Sequence, residues 1–490
     1  MVACQSPIPV KPLSYAALDG HNGAGPGDNG GHGEGFEQAR PAARQVAMKR
    51  RRVAIIGAGF SGVAVAANLA RRGRDAPDVL LIERSGSFGR GLAYATKNPA
   101  HLLNVRASNM SAWPAVGDDF AKWLKTKGGA PTTFASRKTY GDYAEHILRE
   151  AERSRLFGKA VQRVRGEAIA CRAADGGWEI ELRSGKSLQA DVVVLAPGHR
   201  APSSMPVFEQ AEIPLINAWD ADALRRIPRG DVLLLGTGLT TVDIALSLSA
   251  SRPQGTIYAL SRRGLLPRTH LDPPRAPPSE PMQLPPQLSD AVHAFRREVR
   301  TMAERGEPWQ LAVDRLRAAT PALWQRLTPE QQRRFLRHLR PWWDVHRHRT
   351  APEIAARVNA LLEQGRLKVL QGEIAAAQRN GRTIAVQHRP RRSLVRHRLE
   401  VAAVINCTGG SLDYARECEP LFAQLVADGI VRPHTNGLGL DVDELRRPIG
   451  ADGAARGNLF TIGPITQGAF WESTAVPEIR AHAAAIAELA

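Results

Sequence analysis

Apolar residues run unbroken from Val53 to Ile56 and then give way to the spaced glycines Gly57, Gly59 and Gly62, after which small and apolar residues continue to Arg72. A run without polar alternation suits a strand buried on both faces of a parallel sheet, and the glycines that follow suit a tight turn into a helix. Val79–Ile82 repeats the buried run and closes on Glu83. The strand-then-glycine pattern returns at 191–198, 231–238, 402–409 and 458–463. Short alternating segments fill Val161–Asp191 and the stretch beyond Gly365, broken by turn signals such as Asp175-Gly176-Gly177. These read as β-meanders. The pattern predicts an α/β fold with two Rossmann-like dinucleotide-binding domains.

Outside those units the chain changes character. Residues 1–48 are dense in Gly, Ala and Pro and are expected to be a disordered tail. Residues 265–290 are proline-rich and read as an extended linker. They lead into a helical insertion at 288–365. The first domain is expected at 49–215 and 455–490, and the second, which carries the insertion, at 216–454.

At 490 residues the chain exceeds what one hydrophobic core serves, in agreement with two domains. Four cysteines are scattered with no C-x-x-C pair, which argues against a disulfide framework, a zinc site and a dithiol reductase. No metal is expected. No run is long enough to span a bilayer and no secretory signal stands out, so a cytoplasmic protein with no membrane partner is expected. The net charge of +18 suits nucleic acid, an anionic surface or small anions steered to a site. No RNA-binding fold signature accompanies it, and nucleic acid is not expected.

The first glycine turn carries the most specific chemistry. Gly57 turns the chain, Gly59 clears a path for a pyrophosphate, and Gly62 lets the helix sit close to the strand. Glu83 ends the next strand where an acceptor for a ribose hydroxyl belongs. Downstream, the loop 88–94 with Gly91 and the segment 102–106 with Asn104 and Val105 could wrap a cofactor, Asn104 meeting a flavin ring edge. Arg137 and Tyr140 are read as phosphate anchors or helix caps. The second turn has Gly236, Gly238 and Thr240, with Thr241 replacing the third glycine. The following strand ends in Ser261-Arg262-Arg263, donors suited to the extra phosphate of NADPH. Between 291 and 350 the insertion holds thirteen arginines against six acids, and Arg340–Arg349 mixes cations with tryptophans. That mixture is read as an anion-binding, ring-stacking wall.

Taken together, G-A-G-F-S-G, F-G-R-G-L-A-Y, L-L-N-V, F-x-x-R-x-x-Y-G, G-T-G-L-T-T-V-D, S-R-R-G-L-L-P-R, W-D-V-H-R-H-R and W-E-S-T-A-V-P-E-I-R resemble the FAD/NAD(P)-binding flavoprotein monooxygenase group that includes FAD-dependent urate hydroxylases and L-aspartate N-monooxygenases. The resemblance covers about 50 to 490. It implies FAD on the first domain, with Gly198, Gly463 and Pro464 beside it, and NADH or NADPH on the second. Pro197 stands where such proteins usually carry a threonine before Gly198. It implies that a flavin hydroperoxide inserts one oxygen atom from O2 into a small anionic substrate. Because urate is a flat anion, urate hydroxylation is the first expectation, with Arg268, His270, Arg340, Trp343, His346 and Arg347 as substrate- or flavin-side residues. Amino-acid N-hydroxylation is the alternative, and a plain NAD(P)H-flavin oxidoreductase the third reading.

Overall fold

The computed structural model describes residues 50–490 apart from 156–157, 252–253, 277–279, 281 and 417. The expected N-terminal tail therefore lies outside the described residues.

Two parallel five-stranded sheets organise the chain. In the first, Arg52–Ile56 is central, flanked by Asp78–Glu83 on one side and Val192–Leu195 on the other, with Val161–Arg165 and Leu459–Thr461 at the edges. Val53, Ala54 and Ile55 are completely buried, as a strand covered on both faces requires. Helix Phe60–Ala70 follows the first glycine turn and is buried nearly all round. It is wedged between helices Arg137–Glu152 and Val476–Leu489, which share its apolar core through Tyr140, Ala144, Ile479 and Ala483. An antiparallel sheet of Ala168–Ala174, Gly177–Leu182 and Ser187–Ala190 forms the first meander.

The second sheet runs in the order Leu367–Gln371, Ile257–Ser261, Val232–Leu235, Ala403–Asn406 and Ile216–Asn217. Its glycine turn feeds helix Leu239–Ser251, and the second meander spans Glu373–Val401. Four helices, Leu288–Glu304, Trp309–Arg326, Pro329–His338 and Arg340–Arg347, form the insertion. Helix Pro352–Glu363, expected inside it, instead places Ile354, Val358 and Leu361 in the core of the second sheet. It is the crossover between the parallel strands Ile257–Ser261 and Leu367–Gln371.

A second correction concerns the domain boundary. The segment around 414–442, expected in the second domain, buries Tyr414, Leu421, Phe422, Leu425, Val431, Leu440 and Val442 against Ala54, Leu80 and Val193 of the first sheet. Its apolar residues therefore join the first core before the chain reaches Leu459–Thr461. No helix among the described residues is long and apolar enough to cross a membrane.

Candidate active site

Two positions of the first glycine turn leave no room for a Cβ. Gly57 has φ +105, and a Cβ there would lie 2.1 Å from the Ala196 carbonyl oxygen. A Cβ on Gly62 would lie 2.0 Å from the Gly57 carbonyl oxygen, so the close seating of helix on strand depends on its absence. At Gly59 a Cβ would approach Gly91 Cα at 3.4 Å, placing Gly91 against the same turn. Gly57, Gly59, Glu83, Gly91, Pro197 and Gly198 all line one cleft of about 490 Å³.

Glu83 is anchored at the rim of this cleft. Its Oε2 accepts from the Ala58 N–H at 3.0 Å, and its Oε1 accepts from the Ser85 N–H at 2.9 Å and the Ser85 hydroxyl at 2.8 Å. A carboxylate offers about four acceptor sites, so capacity remains for a ribose hydroxyl. Gly463 meets the turn from the far edge strand: it has φ +88, and a Cβ there would lie 3.1 Å from Ser61 Oγ. Pro464 is buried and opens a short 3-10 turn. The cradle, the acidic acceptor and the helix start fit an FAD, with Gly57, Gly59, Gly62, Glu83, Gly91, Gly198 and Gly463 as the residues that would hold it.

The second turn is similar but looser. Gly236 has φ +108, whereas nothing lies within 4 Å of a Cβ on Gly238, leaving open space above the turn. Thr240 lines a second cleft of about 730 Å³ that runs along helix Leu239–Ser251. Leu92 and Ala95 line both clefts, which therefore share a border. The three residues expected to meet a nucleotide phosphate differ in what they offer. Arg262 is exposed. Arg263 donates to the His338 carbonyl at 3.3 Å. The Ser261 hydroxyl accepts from the Gly264 N–H at 3.0 Å and lies 2.8 Å from Thr237 Oγ1, so it is committed to the local turn.

Arginines of the insertion and of the segment of chain that leaves it are held in ion pairs, one of them buried on both sides. Arg347 is 8% exposed and donates to Glu472 Oε2 through Nε at 3.2 Å and Nη2 at 2.9 Å. Arg349 pairs with Asp314, and Arg317 with Glu478. His270 Nε2 lies 2.9 Å from the Asn104 carbonyl oxygen; a carbonyl only accepts, so Nε2 carries the proton. This bond ties Asn104 of the first domain to the linker that enters the insertion. Burial, then the nearby Arg349, pull the His270 pKa down to about 4, the Asn104 bond opposing, so the imidazole is neutral near pH 7. Burial followed by Arg347 pulls His348 down to about 3.

The depressed His270 pKa has a testable sign. The unfolded chain takes up this proton below about 6.5 and the folded chain only near 4, so the stability contribution is present above 6.5 and lost as pH falls through that window. Relative to a His270→Asn variant, the wild type should lose up to about 1.4 kcal/mol per pH unit there. Denaturant titrations of both proteins at pH 7, 6 and 5 read this directly; a constant difference would contradict the buried neutral imidazole.

The expected ring-stacking wall is not assembled. Trp342 is 45% exposed, whereas Trp343 packs into the insertion's apolar cluster. The His346 ring meets Trp309 edge-on at 4.9 Å, and its Nδ1 lies 2.7 Å from the Trp342 carbonyl oxygen. Arg340 lies 3.4 Å from Asp344 and over the Trp471 ring at 5.6 Å. Arg347 is spent on Glu472. Arg268 is exposed, with its backbone held to Val345 and Thr350 at 2.9 and 2.8 Å. Its side chain makes no ion pair among the described residues. Two further readings are corrected. Tyr140 is wholly buried among Phe60, Phe120 and Tyr94, so it anchors no phosphate. Arg137 faces Asp243, and Ser136 caps the helix by accepting from the Thr139 N–H at 3.0 Å. The flat-anion argument for urate loses its physical basis with the wall. Asp243, Asn98, His101 and Ser247, which line the larger cleft, were not anticipated.

Comparison with known proteins agrees with this geometry. Residues 54–200 match an FAD-NAD(P)-binding family model. A Baeyer-Villiger monooxygenase of Streptomyces coelicolor is 28% identical over 239 residues, 44% of this chain and 39% of that protein. A nitrosuccinic acid synthase of Aspergillus oryzae is 28% identical over 172 residues, 28% of this chain and 26% of that protein. The chain thus spans less than half the length of either curated relative it matches. An ornithine N-hydroxylase structure from Kutzneria sp. 744 aligns with TM-score 0.59 and 15% identity over 90% of this chain and 98% of that one. An L-lysine 6-monooxygenase from Pseudomonas syringae gives TM-score 0.59 and 17% identity with the same coverage. None of these relatives lends support to urate as substrate. The region 54–200 thus carries the sequence pattern of an FAD-NAD(P)-binding domain, in a chain that shares the fold of the ornithine and lysine enzymes.

Proposed function

We propose that the protein is an FAD-dependent, NADPH-consuming monooxygenase that oxygenates the amine nitrogen of a small acidic amino acid. The observation that carries the reading is the pair of bordering clefts, one lined by the first glycine turn and the other reaching the second through Thr240. Such an arrangement suits passage of electrons from a nicotinamide on the second domain to a flavin on the first. The FAD would supply the redox and oxygen chemistry. The chain's own part is to hold and orient: the turn at 57–62 would fix the pyrophosphate and Glu83 the ribose.

The substrate class draws support from the fold shared with the ornithine and lysine enzymes and from the likeness to the nitrosuccinic acid synthase, whose named product is a dicarboxylate bearing an oxidised nitrogen. Arg268 is the cation we assign to a substrate carboxylate. His270, neutral and pinned to Asn104, adds no charge of its own beside Arg268.

NADPH is preferred because Arg262 stands exposed at the end of the strand where the extra phosphate arrives. Arg262→Ala should weaken NADPH binding about tenfold, the worth of one charge-assisted hydrogen bond, and leave NADH binding nearly unchanged. Equal losses for both nucleotides would contradict this role. The function itself is tested by NADPH consumption against aspartate, ornithine, lysine, urate and no addition, with mass analysis of each amino acid. Oxygenated aspartate supports the reading; hydrogen peroxide as the sole product with every compound points to a plain oxidoreductase.

A further inference from the structure

A polar seam joins the two nucleotide-binding domains along the helix that follows the second glycine turn. Arg137 opens helix Arg137–Glu152 of the first domain, and its Nε lies 3.3 Å from Asp243 Oδ2 on helix Leu239–Ser251 of the second. Their side chains are only 13% and 10% exposed. One helical turn beyond Asp243, the Ser247 hydroxyl donates to the Asp243 carbonyl at 2.9 Å. Its oxygen then accepts from Asn98 Nδ2 at 2.9 Å and from His101 Nε2 at 2.7 Å. With Nε2 donating, His101 Nδ1 accepts from the Thr96 hydroxyl at 2.9 Å. Burial is the largest influence on His101 and lowers its pKa, as a neutral ring in this bonding pattern requires.

Position makes this seam more than packing. Asp243 and Ser247 lie four residues apart on one face of the helix that begins at the second glycine turn. Any group that fixes this helix also fixes the turn where a pyrophosphate would sit. On the other side, Arg137 and the loop 96–101 belong to the domain of the first turn, and that loop continues from Leu92 and Ala95, which line both clefts. A buried ion pair adds little net stability compared with apolar residues of the same shape, but stranding either charge is costly, so together with the Ser247 hydrogen bonds to Asn98 and His101 it selects one arrangement. At this seam the arrangement selected is the mutual register of the two domains.

We propose that Arg137 and Asp243, supported by His101 and Ser247, are positioning residues that hold the second glycine turn in register with the first, so that a nicotinamide meets the flavin at reacting distance. The inference rests on the reading of the protein as an NADPH-reduced flavoenzyme. Hydride transfer depends steeply on approach geometry, and a displacement of about 1 Å costs on the order of a hundredfold in rate.

The test uses the FAD-loaded full chain with Asp243→Asn and Arg137→Gln, which keep shape and remove charge, and with Arg137→Lys as the conservative variant. Anaerobic flavin reduction by NADPH should slow by at least about tenfold in the first two and recover in part in Arg137→Lys. FAD retention and reoxidation by O2 after dithionite reduction should stay near wild type. Amide hydrogen exchange on the FAD-free proteins should rise in 92–101 and 239–251 but not in 52–56. Equal slowing of reduction and reoxidation together with loss of FAD would reveal a merely structural role and overturn the proposal. So would variants that reduce as fast as wild type. A wild-type flavin that NADPH fails to reduce would instead count against the enzymatic reading from which the inference starts.

Discussion

Replacing Gly57 by alanine is expected to yield a protein that does not retain FAD. The backbone at this position has φ +105, a region that costs an L-residue on the order of 1–2 kcal/mol before any contact is considered. The added Cβ would also lie 2.1 Å from the Ala196 carbonyl oxygen and 2.8 Å from its carbon. Neither is the yielding end of a side chain. Ala196 directly follows the neighbouring strand, and its N–H is bonded to the Ile56 carbonyl at 2.8 Å, so relief requires the two adjacent strands to part at the floor of the cleft. Overpacking of this kind costs about 1–3 kcal/mol in addition, and its effect falls on the surface that a pyrophosphate touches. The ratio of flavin to protein absorbance in the purified variant is the check. A ratio equal to wild type would mean that the cradle is not where FAD binds. Gly238→Ala offers the contrast: with nothing within 4 Å of its Cβ, that variant should keep its FAD.

The second large effect is expected at the buried pair Arg347–Glu472. Both guanidinium bonds fall on one carboxylate oxygen, and the residues are 8% and 5% exposed. Removing one partner strands the other charge in a poorly solvated site, which typically costs about 3–5 kcal/mol. Arg347→Ala and Glu472→Ala should each lower stability by that amount. The double variant Arg347→Met, Glu472→Leu should recover most of it, since the pair in itself is worth little over apolar residues. Chemical denaturation of the three variants decides the matter. Singles within about 0.5 kcal/mol of wild type, as for an ordinary surface site, would show that the pair is not buried. The contact also has a functional side, because Glu472 lies on the segment that runs from Gly463, beside Ser61, to the C-terminal helix. Through it the insertion is fastened to the chain nearest the expected flavin.

Local rules carried the sequence reading wherever the determinants are neighbours in the chain. The two glycine turns, their buried strands and Glu83 are legible because a tight turn, a close backbone approach and an acidic strand end need particular residues at fixed short spacings. The insertion was less legible because its residues are placed by partners far away. Trp343 and Arg347 are four residues apart and turn inward together, while Trp342 and His346 occupy the adjacent face. A cation-and-aromatic composition does not reveal which face meets the core. The partner of Arg347 lies 125 residues away, and that of Arg137 lies on the other domain. Neither pairing leaves a periodic signal. The amphipathic pattern of helix Pro352–Glu363 is that of any surface helix, so the pattern does not separate it from the insertion helices before it. Only the parallel pairing of Ile257–Ser261 with Leu367–Gln371 identifies it as a crossover.

The central claim, that NADPH would reduce a flavin on the first domain and that one atom of O2 then goes to an amine while the other leaves as water, has one direct test. The FAD-loaded protein is mixed with NADPH, L-aspartate and heavy-isotope dioxygen, and the recovered amino acid is analysed by mass. The account predicts an N-oxygenated aspartate carrying the heavy isotope, formed in proportion to NADPH consumed. Unlabelled or unchanged aspartate, with NADPH oxidised at the same rate whether or not aspartate is present, would contradict it.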